Sequence, residues 1–268
     1  MGNAAIQGKL WGTQAQNYAE FLEQISLPLF GTALDAAHVS NGTKILDAGC
    51  GAGLMALLAK LRGANVSAID ASVELIKIAR KRLPECDVRE GDLEALPYDD
   101  ETFDAVIAVN SIFYASNMEA AMHQLTRVTR SGGRIVVTTW GPPERCEFLS
   151  SVMPNIGPLM PPPPPDSPPV HPVLALSKPG ALNTLLQQAN IKILAEGEVA
   201  CPYVFPNAEI SWLANASAGP NQMAISHSGE EAVRSAFAKV DRSHTQPDGS
   251  IRYENNFIWI VGERSLLL

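Results

Sequence analysis

Between Thr43 and about Thr139, short apolar runs rich in β-branched residues alternate with stretches whose apolar positions recur every three or four residues, as in a parallel sheet with crossover helices. The runs Lys44-Ile45-Leu46, Val66-Ser67-Ala68-Ile69, Cys86-Asp87-Val88, Phe103 to Val109 and Arg134 to Thr139 predict five strands. Between the first two, Leu54 to Arg62 reads as an apolar helix stopped by Gly63, because a left-handed residue after the last turn is cheapest for glycine. Ser72 can cap the next helix. Its Glu74 near the start and Arg80, Lys81 and Arg82 near the end match the helix dipole before Pro84 stops it. Met118, Ala121, Met122, Leu125 and Val128 recur at helical spacing ahead of the Ser131-Gly132-Gly133 turn.

The flanks are less regular. Thr13 to Ala37 reads as two helices broken near Pro28, with Trp11 just ahead. Beyond the block, a helix is expected from Ser177 to Ala189 with Pro179 in its first turn. Ile191 to Val204 and Arg252 to Val261 read as two further strands, the last with Tyr253, Phe257 and Trp259 on one side. Helices near Asn207 to Ala216 and Gly229 to Val240 lie between them.

Composition changes this picture in two places. Lys and Arg total 20 against 28 Asp and Glu, a net charge of -8, which repels nucleic-acid phosphates and anionic membrane surfaces. The partners expected are therefore small molecules, with neither nucleic acid nor membrane, for a monomer or homodimer. Of the 20 prolines, 13 fall between Pro142 and Pro179, including the unbroken run Pro161 to Pro165. With Leu149, Met153, Ile156, Leu159, Met160 and Val170 among them, this segment is too apolar for a free linker. Strands needed by the same sheet follow it, so it reads as an insertion within one domain, folding as a lid with the N-terminal helices and the stretch from Phe205 to Ala216 that contains Trp212.

Cys50, Cys86, Cys146 and Cys201 are far apart, with no C-x-x-C pair and no His at zinc-ligand spacing, and the first residues lack a secretory apolar core. The expectation is four free thiols, no metal and a cytoplasmic protein.

The chemistry concentrates in Ile45-Leu46-Asp47-Ala48-Gly49-Cys50-Gly51-Ala52-Gly53, a strand running into a glycine turn and then a helix. Alternate glycines let a ligand lie on bare backbone, and a helix start offers N–H donors to a carboxylate or phosphate. Asp70 closes the second strand, Asp92 follows the third and Asn110 follows the fourth, all at the carboxyl ends where open α/β sheets bind ligands. An acid after the second strand suits a ribose diol, and one after the third suits an adenine amino group.

With these motifs in this order the chain resembles the class I S-adenosylmethionine-dependent methyltransferases, in their small-molecule branch. The resemblance implies an α/β, Rossmann-like, doubly wound, seven-stranded and mostly parallel sheet with a helical and loop cap, its last strand antiparallel. It implies one domain: a helical cap over 1–40, a cofactor core over 41–141, the proline-rich lid over 142–190, and the last two strands with a helical insertion over 191–268. By the same resemblance Asp47, Gly49, Gly51 and Gly53 hold the methionine part of S-adenosylmethionine, Asp70 the ribose hydroxyls, and Asp92 with Leu93 the adenine edge, with Cys50 and Ala71 also among the cofactor-binding residues. Asn110 lies near the sulfonium. Trp11 to Tyr18 looks like the W/Y-x-x-x-A-x-x-Y helix of this branch, which places Tyr18 over the cofactor.

A nicotinamide-dependent oxidoreductase is the rival reading, since Gly51, Gly53 and Ala56 also fit the dinucleotide fingerprint; Asp47 and Asp92 have no duty there. Two others keep the cofactor pocket: a non-catalytic binding module for regulation or assembly, and a rearrangement or cyclisation enzyme. Methyl transfer needs alignment and exclusion of water, and a base only for a protonated nucleophile. His171, in the expected lid, is the first candidate base, ahead of Tyr18, Tyr203 and His123. The expected reaction is transfer of a methyl group to an oxygen or nitrogen of a small apolar or aromatic metabolite.

Overall fold

The computed structural model describes residues 3–163 and 170–265, so residues 164–169 of the proline-rich segment lie outside the described residues. Among the described residues nine strands form: β1 (Lys44–Ala48), β2 (Asn65–Asp70), β3 (Asp87–Glu90), β4 (Phe103–Val109), β5 (Thr129–Trp140), β6 (Ile191–Ala200), β7 (Tyr203–Phe205), β8 (Ile251–Tyr253) and β9 (Asn256–Arg264). Seven make one sheet in the order β3-β2-β1-β4-β5-β9-β6, with β1 to β5 parallel and β9 antiparallel to both its neighbours. The order reverses between β1 and β4, and the glycine turn leaves β1 at that switch point.

Strand alternation divides the core between the two faces of the sheet. On β4, Val106 and Ala108 join the helices Met118–Val128, Pro172–Leu176 and Ala181–Gln188 on one face. Ala105 and Ile107 join the helices Leu27–Ala36, Leu54–Leu61 and Val73–Arg82 on the other. A third cluster sits over the carboxyl ends of β4, β5 and β6. It gathers Phe21, Leu22 and Ile25 from the N-terminal segment, Phe148, Val152 and Ile156 from the proline-rich segment, and Trp212 from the helix Ala208–Ala216.

Several boundaries differ from the pattern-based expectation, each for a local reason. The N-terminal break falls at the 3-10 turn Glu23–Ser26, and Pro28 sits in the first turn of the helix Leu27–Ala36, where its missing N–H is no loss. The helix expected from Ser177 starts at Ala181 behind Gly180 (φ +77°), leaving Pro179 outside it. The strand expected over Ile191 to Val204 divides at Cys201-Pro202, and the one over Arg252 to Val261 divides at Glu254-Asn255. Their inner halves, β7 and β8, pair as a separate two-stranded ribbon with Tyr203 opposite Tyr253. The helices Ala4–Gly12 and Gly219–Ser228 carry no clear apolar stripe and escape a periodicity argument.

Candidate functional site

Gly49, Gly51 and Gly53 all have positive φ (+87°, +54° and +87°), which carries the chain out of β1, round the turn and into the helix Leu54–Leu61. A side chain at Gly49 would strike Ser111, whose Cβ would stand 2.3 Å from the added carbon, and one at Gly53 would meet Ala79 at 3.0 Å. Gly51 differs. The nearest atoms its Cβ would meet all belong to Tyr18, with the hydroxyl oxygen at 2.7 Å, so its bare backbone faces a side chain of the cap.

The N–H groups of this turn are less open than the sequence suggests. Gly51 donates to Asp70 Oδ2 at 2.9 Å, Gly49 and Cys50 donate to the Ile69 carbonyl at 2.8 and 2.9 Å, and Leu54 donates to Glu23 Oε1 at 3.1 Å. Protein carboxylates thus already occupy two of the donors expected for a ligand anion.

Asp47 is 2% exposed, and its Oδ2 has no hydrogen-bond partner among the described residues. Burial pushes its pKa well above the usual 3.8, and the nearby charges of Glu23 and Asp70 push it further. A buried carboxylate oxygen left unpaired is costly and fits a missing cationic donor. Asp70 accepts from Gly51 and, through Oδ1, from the Ser72 N–H at 2.8 Å, keeping lone pairs on both oxygens for ligand hydroxyls. The Ala71 carbonyl is covered, since a Cβ on Gly8 would stand 2.1 Å from its oxygen. Asp92 closes an Asx turn by accepting from the Glu94 N–H at 2.9 Å, and Leu93 is half-buried against the core.

Asn110 holds a left-handed backbone at φ +50°, uncommon for a residue other than glycine and a mark of functional sites when neighbours enforce it. The enforcing neighbour is Thr138. Its hydroxyl accepts from the Asn110 N–H at 3.1 Å and donates to Asn110 Oδ1 at 3.1 Å, so the amide orientation is fixed.

The structure brings Asp47, Cys50, Asp70 and Tyr18 together, with Asn110 at the neighbouring end of β4; Asp92 follows β3 two strands from the turn. Cys50 is buried with its thiol pKa raised well above 9.0, so it fills space and is not ionised at neutral pH. His171 departs from its expected role. It is exposed, and its Nδ1 accepts from the Val173 N–H at 3.3 Å, capping the helix Pro172–Leu176. His123 is exposed on the helix Met118–Val128. Burial raises the pKa of both Tyr18 and Tyr203 well above 10.0, so both phenols are protonated at neutral pH.

Sequence reasoning missed Glu23, Thr138 and the part of Arg82 that lies beyond its helix-dipole position. The close approach of the helix Ala4–Gly12 to Ala71 had a signal, Gly8 and Gly12 four residues apart on one helix face. Among the described residues no helix is long and apolar enough to cross a membrane, and no cluster of three His, Cys, Asp or Glu could hold a metal.

Residues 46–137 match the family model of a methyltransferase domain. The matched stretch runs from β1 into β5, and the chain's seven-stranded sheet has the fold seen in solved methyltransferases. Among curated proteins the chain is 32% identical over 171 residues to an uncharacterized protein of Mycobacterium tuberculosis, covering 62% of this chain and 60% of that relative's length. It is also 33% identical over 106 residues to the malonyl-[acyl-carrier protein] O-methyltransferase of Erwinia pyrifoliae, 40% of each chain. The fold resembles that of geranyl diphosphate C-methyltransferase from Streptomyces coelicolor A3(2), solved with S-adenosyl-L-homocysteine, at TM-score 0.52 and 16% identity over 88% of this chain and 78% of that one.

Proposed function

We propose that the chain binds S-adenosylmethionine across the carboxyl ends of β1 to β4 and transfers its methyl group to a nucleophile on a small apolar or aromatic molecule. The unpaired Oδ2 of buried Asp47, beside the bare backbone of Gly51, carries this reading. Asp47 would hold the ligand's ammonium, Asp70 the ribose hydroxyls and Asp92 the adenine amino group. When bound, this cofactor supplies an electrophilic methyl group on a sulfonium.

The chain's own contribution is alignment and exclusion of water. Over the site, Trp140 at the end of β5 stacks on Phe148 with centroids 5.6 Å apart, and Tyr203 packs at 5.7 Å from both. This aromatic wall favours an apolar or aromatic acceptor, as do Phe21 and Leu22 beside it. Protonated Tyr18 and Tyr203 serve as hydrogen-bond donors and are poor bases at neutral pH. The acceptor must therefore bring a nucleophile that is already ionised or unprotonated, such as a carboxylate, an acidic hydroxyl or a neutral amine. The N-terminal segment and the described part of the proline-rich segment up to residue 163 would act together as its lid.

Asn110→Ala is expected to lower kcat about 10- to 100-fold with little change in cofactor affinity, and Thr138→Val to reproduce part of that loss by releasing the amide. Steady-state kinetics alongside cofactor titration measures both. The reading itself is tested by incubating the protein and cofactor with a metabolite library and seeking by mass spectrometry a gain of about 14 daltons, one CH₂. Binding of cofactor without any such product would favour the non-catalytic reading.

A further inference from the structure

We infer that Glu23 and Arg82 are positioning residues whose ion pair, a buried carboxylate on a half-buried guanidinium, pins the hinge of a Tyr18 flap to the glycine turn and so sets how long a cofactor stays on Gly51. The inference rests on the proposed methyltransferase reading and deepens it.

Glu23 is 2% exposed, yet it carries a carboxylate. Oε1 accepts from the Leu54 N–H at 3.1 Å, capping the first turn of the helix Leu54–Leu61, and Oε2 pairs with the Arg82 guanidinium. Arg82 then uses its remaining donors on two carbonyls, Ala52 at 3.0 Å and Ala19 at 3.2 Å. Ala52 follows Gly51 and Ala19 follows Tyr18. One planar guanidinium thus ties together the chain neighbours of Gly51 and Tyr18, the two residues that face each other.

The flap itself passes through three kinds of winding in twelve residues. It is α-helical over Ala15–Asn17, π-helical over Tyr18–Leu22 and 3-10 over Glu23–Ser26. Such switches mark hinges and functional sites. Tyr18 rides on the π-helical turn with its ring on Gly51, so a ligand can lie there only if the ring swings away and returns over it. A buried ion pair stabilises a fold no better than well-packed apolar residues would, whereas its directional bonds fix geometry. The pair is suited to holding the hinge while the ring moves.

The test is stopped-flow binding of S-adenosylhomocysteine, with hydrogen exchange of residues 15–22, in wild type, Arg82→Met and Arg82→Lys. Arg82→Met is expected to release the ligand about tenfold faster, Arg82→Lys to recover part of the loss, and exchange over 15–22 to accelerate in Arg82→Met. Release and exchange within twofold of wild type in folded Arg82→Met would overturn the inference. Should that variant not fold, Tyr18→Ala leaves the pair intact and is expected to speed both association and release, and unchanged rates would overturn it equally. Absence of binding to wild type at millimolar ligand would sink the underlying cofactor reading instead. Exchange over 15–22 would then decide the latch alone, with acceleration in Arg82→Met supporting it and no change overturning it.

Discussion

Asp47→Asn is expected to weaken S-adenosylmethionine binding about 10- to 100-fold while raising the melting temperature of the ligand-free protein by about 2–4 °C. The two effects share one cause. In the ligand-free fold Asp47 is buried with Oδ2 unpaired and faces the charges of Glu23 and Asp70, so the ionised form is disfavoured. A cationic ligand group would relieve this; an amide removes it but offers the ligand only a neutral partner. The pH dependence follows from the direction of the shift. A carboxyl whose folded pKa lies above its ordinary 3.8 binds more protons folded than unfolded, so stability falls as pH rises above about 4 and toward the folded pKa. The gain from Asp47→Asn should vanish below about pH 4 and grow as pH rises toward the folded pKa. Thermal unfolding of both proteins across that range measures it, and a variant no more stable than wild type at neutral pH would contradict the account of Asp47.

Gly51→Val is expected to abolish measurable cofactor binding, a loss beyond about 100-fold, by filling the bare backbone that Tyr18 now covers. A branched side chain at φ +54° also strains the turn by about 1–2 kcal/mol, so a stability loss alone would prove little. Gly42→Ala is the control, because Gly42 has φ +81° with nothing within 4 Å of its added carbon. It should lose comparable stability and keep its affinity. Isothermal titration of both variants separates ligand exclusion from strain, and equal affinities in the two would contradict the cradle at Gly51.

Much of this site is legible along the chain because its chemistry is local. Asp47, the three glycines and Asp70 lie where apolar strands meet polar turns, and strand ends are what periodicity locates best. The five parallel strands and the helices Leu54–Leu61, Val73–Arg82 and Met118–Val128 were legible for the same reason. Glu23 was not, since a glutamate in a helical stretch normally faces water and its partners Leu54 and Arg82 lie far along the chain. Thr138 likewise reads as an ordinary strand residue until β4 and β5 align and bring its hydroxyl to Asn110. The His171 expectation followed from proximity in sequence to an apolar lid, but the ring is used locally as a helix cap. The split of the last expected strands depends on Tyr203 finding Tyr253, a pairing across about fifty residues that local patterning does not encode.

Whether these strand ends form a working S-adenosylmethionine site is decided by calorimetric titration of the unmodified protein with S-adenosylmethionine. Saturable binding is expected at one site per chain with a dissociation constant on the order of micromolar, about -8 kcal/mol. No heat and no saturation at millimolar cofactor would contradict it.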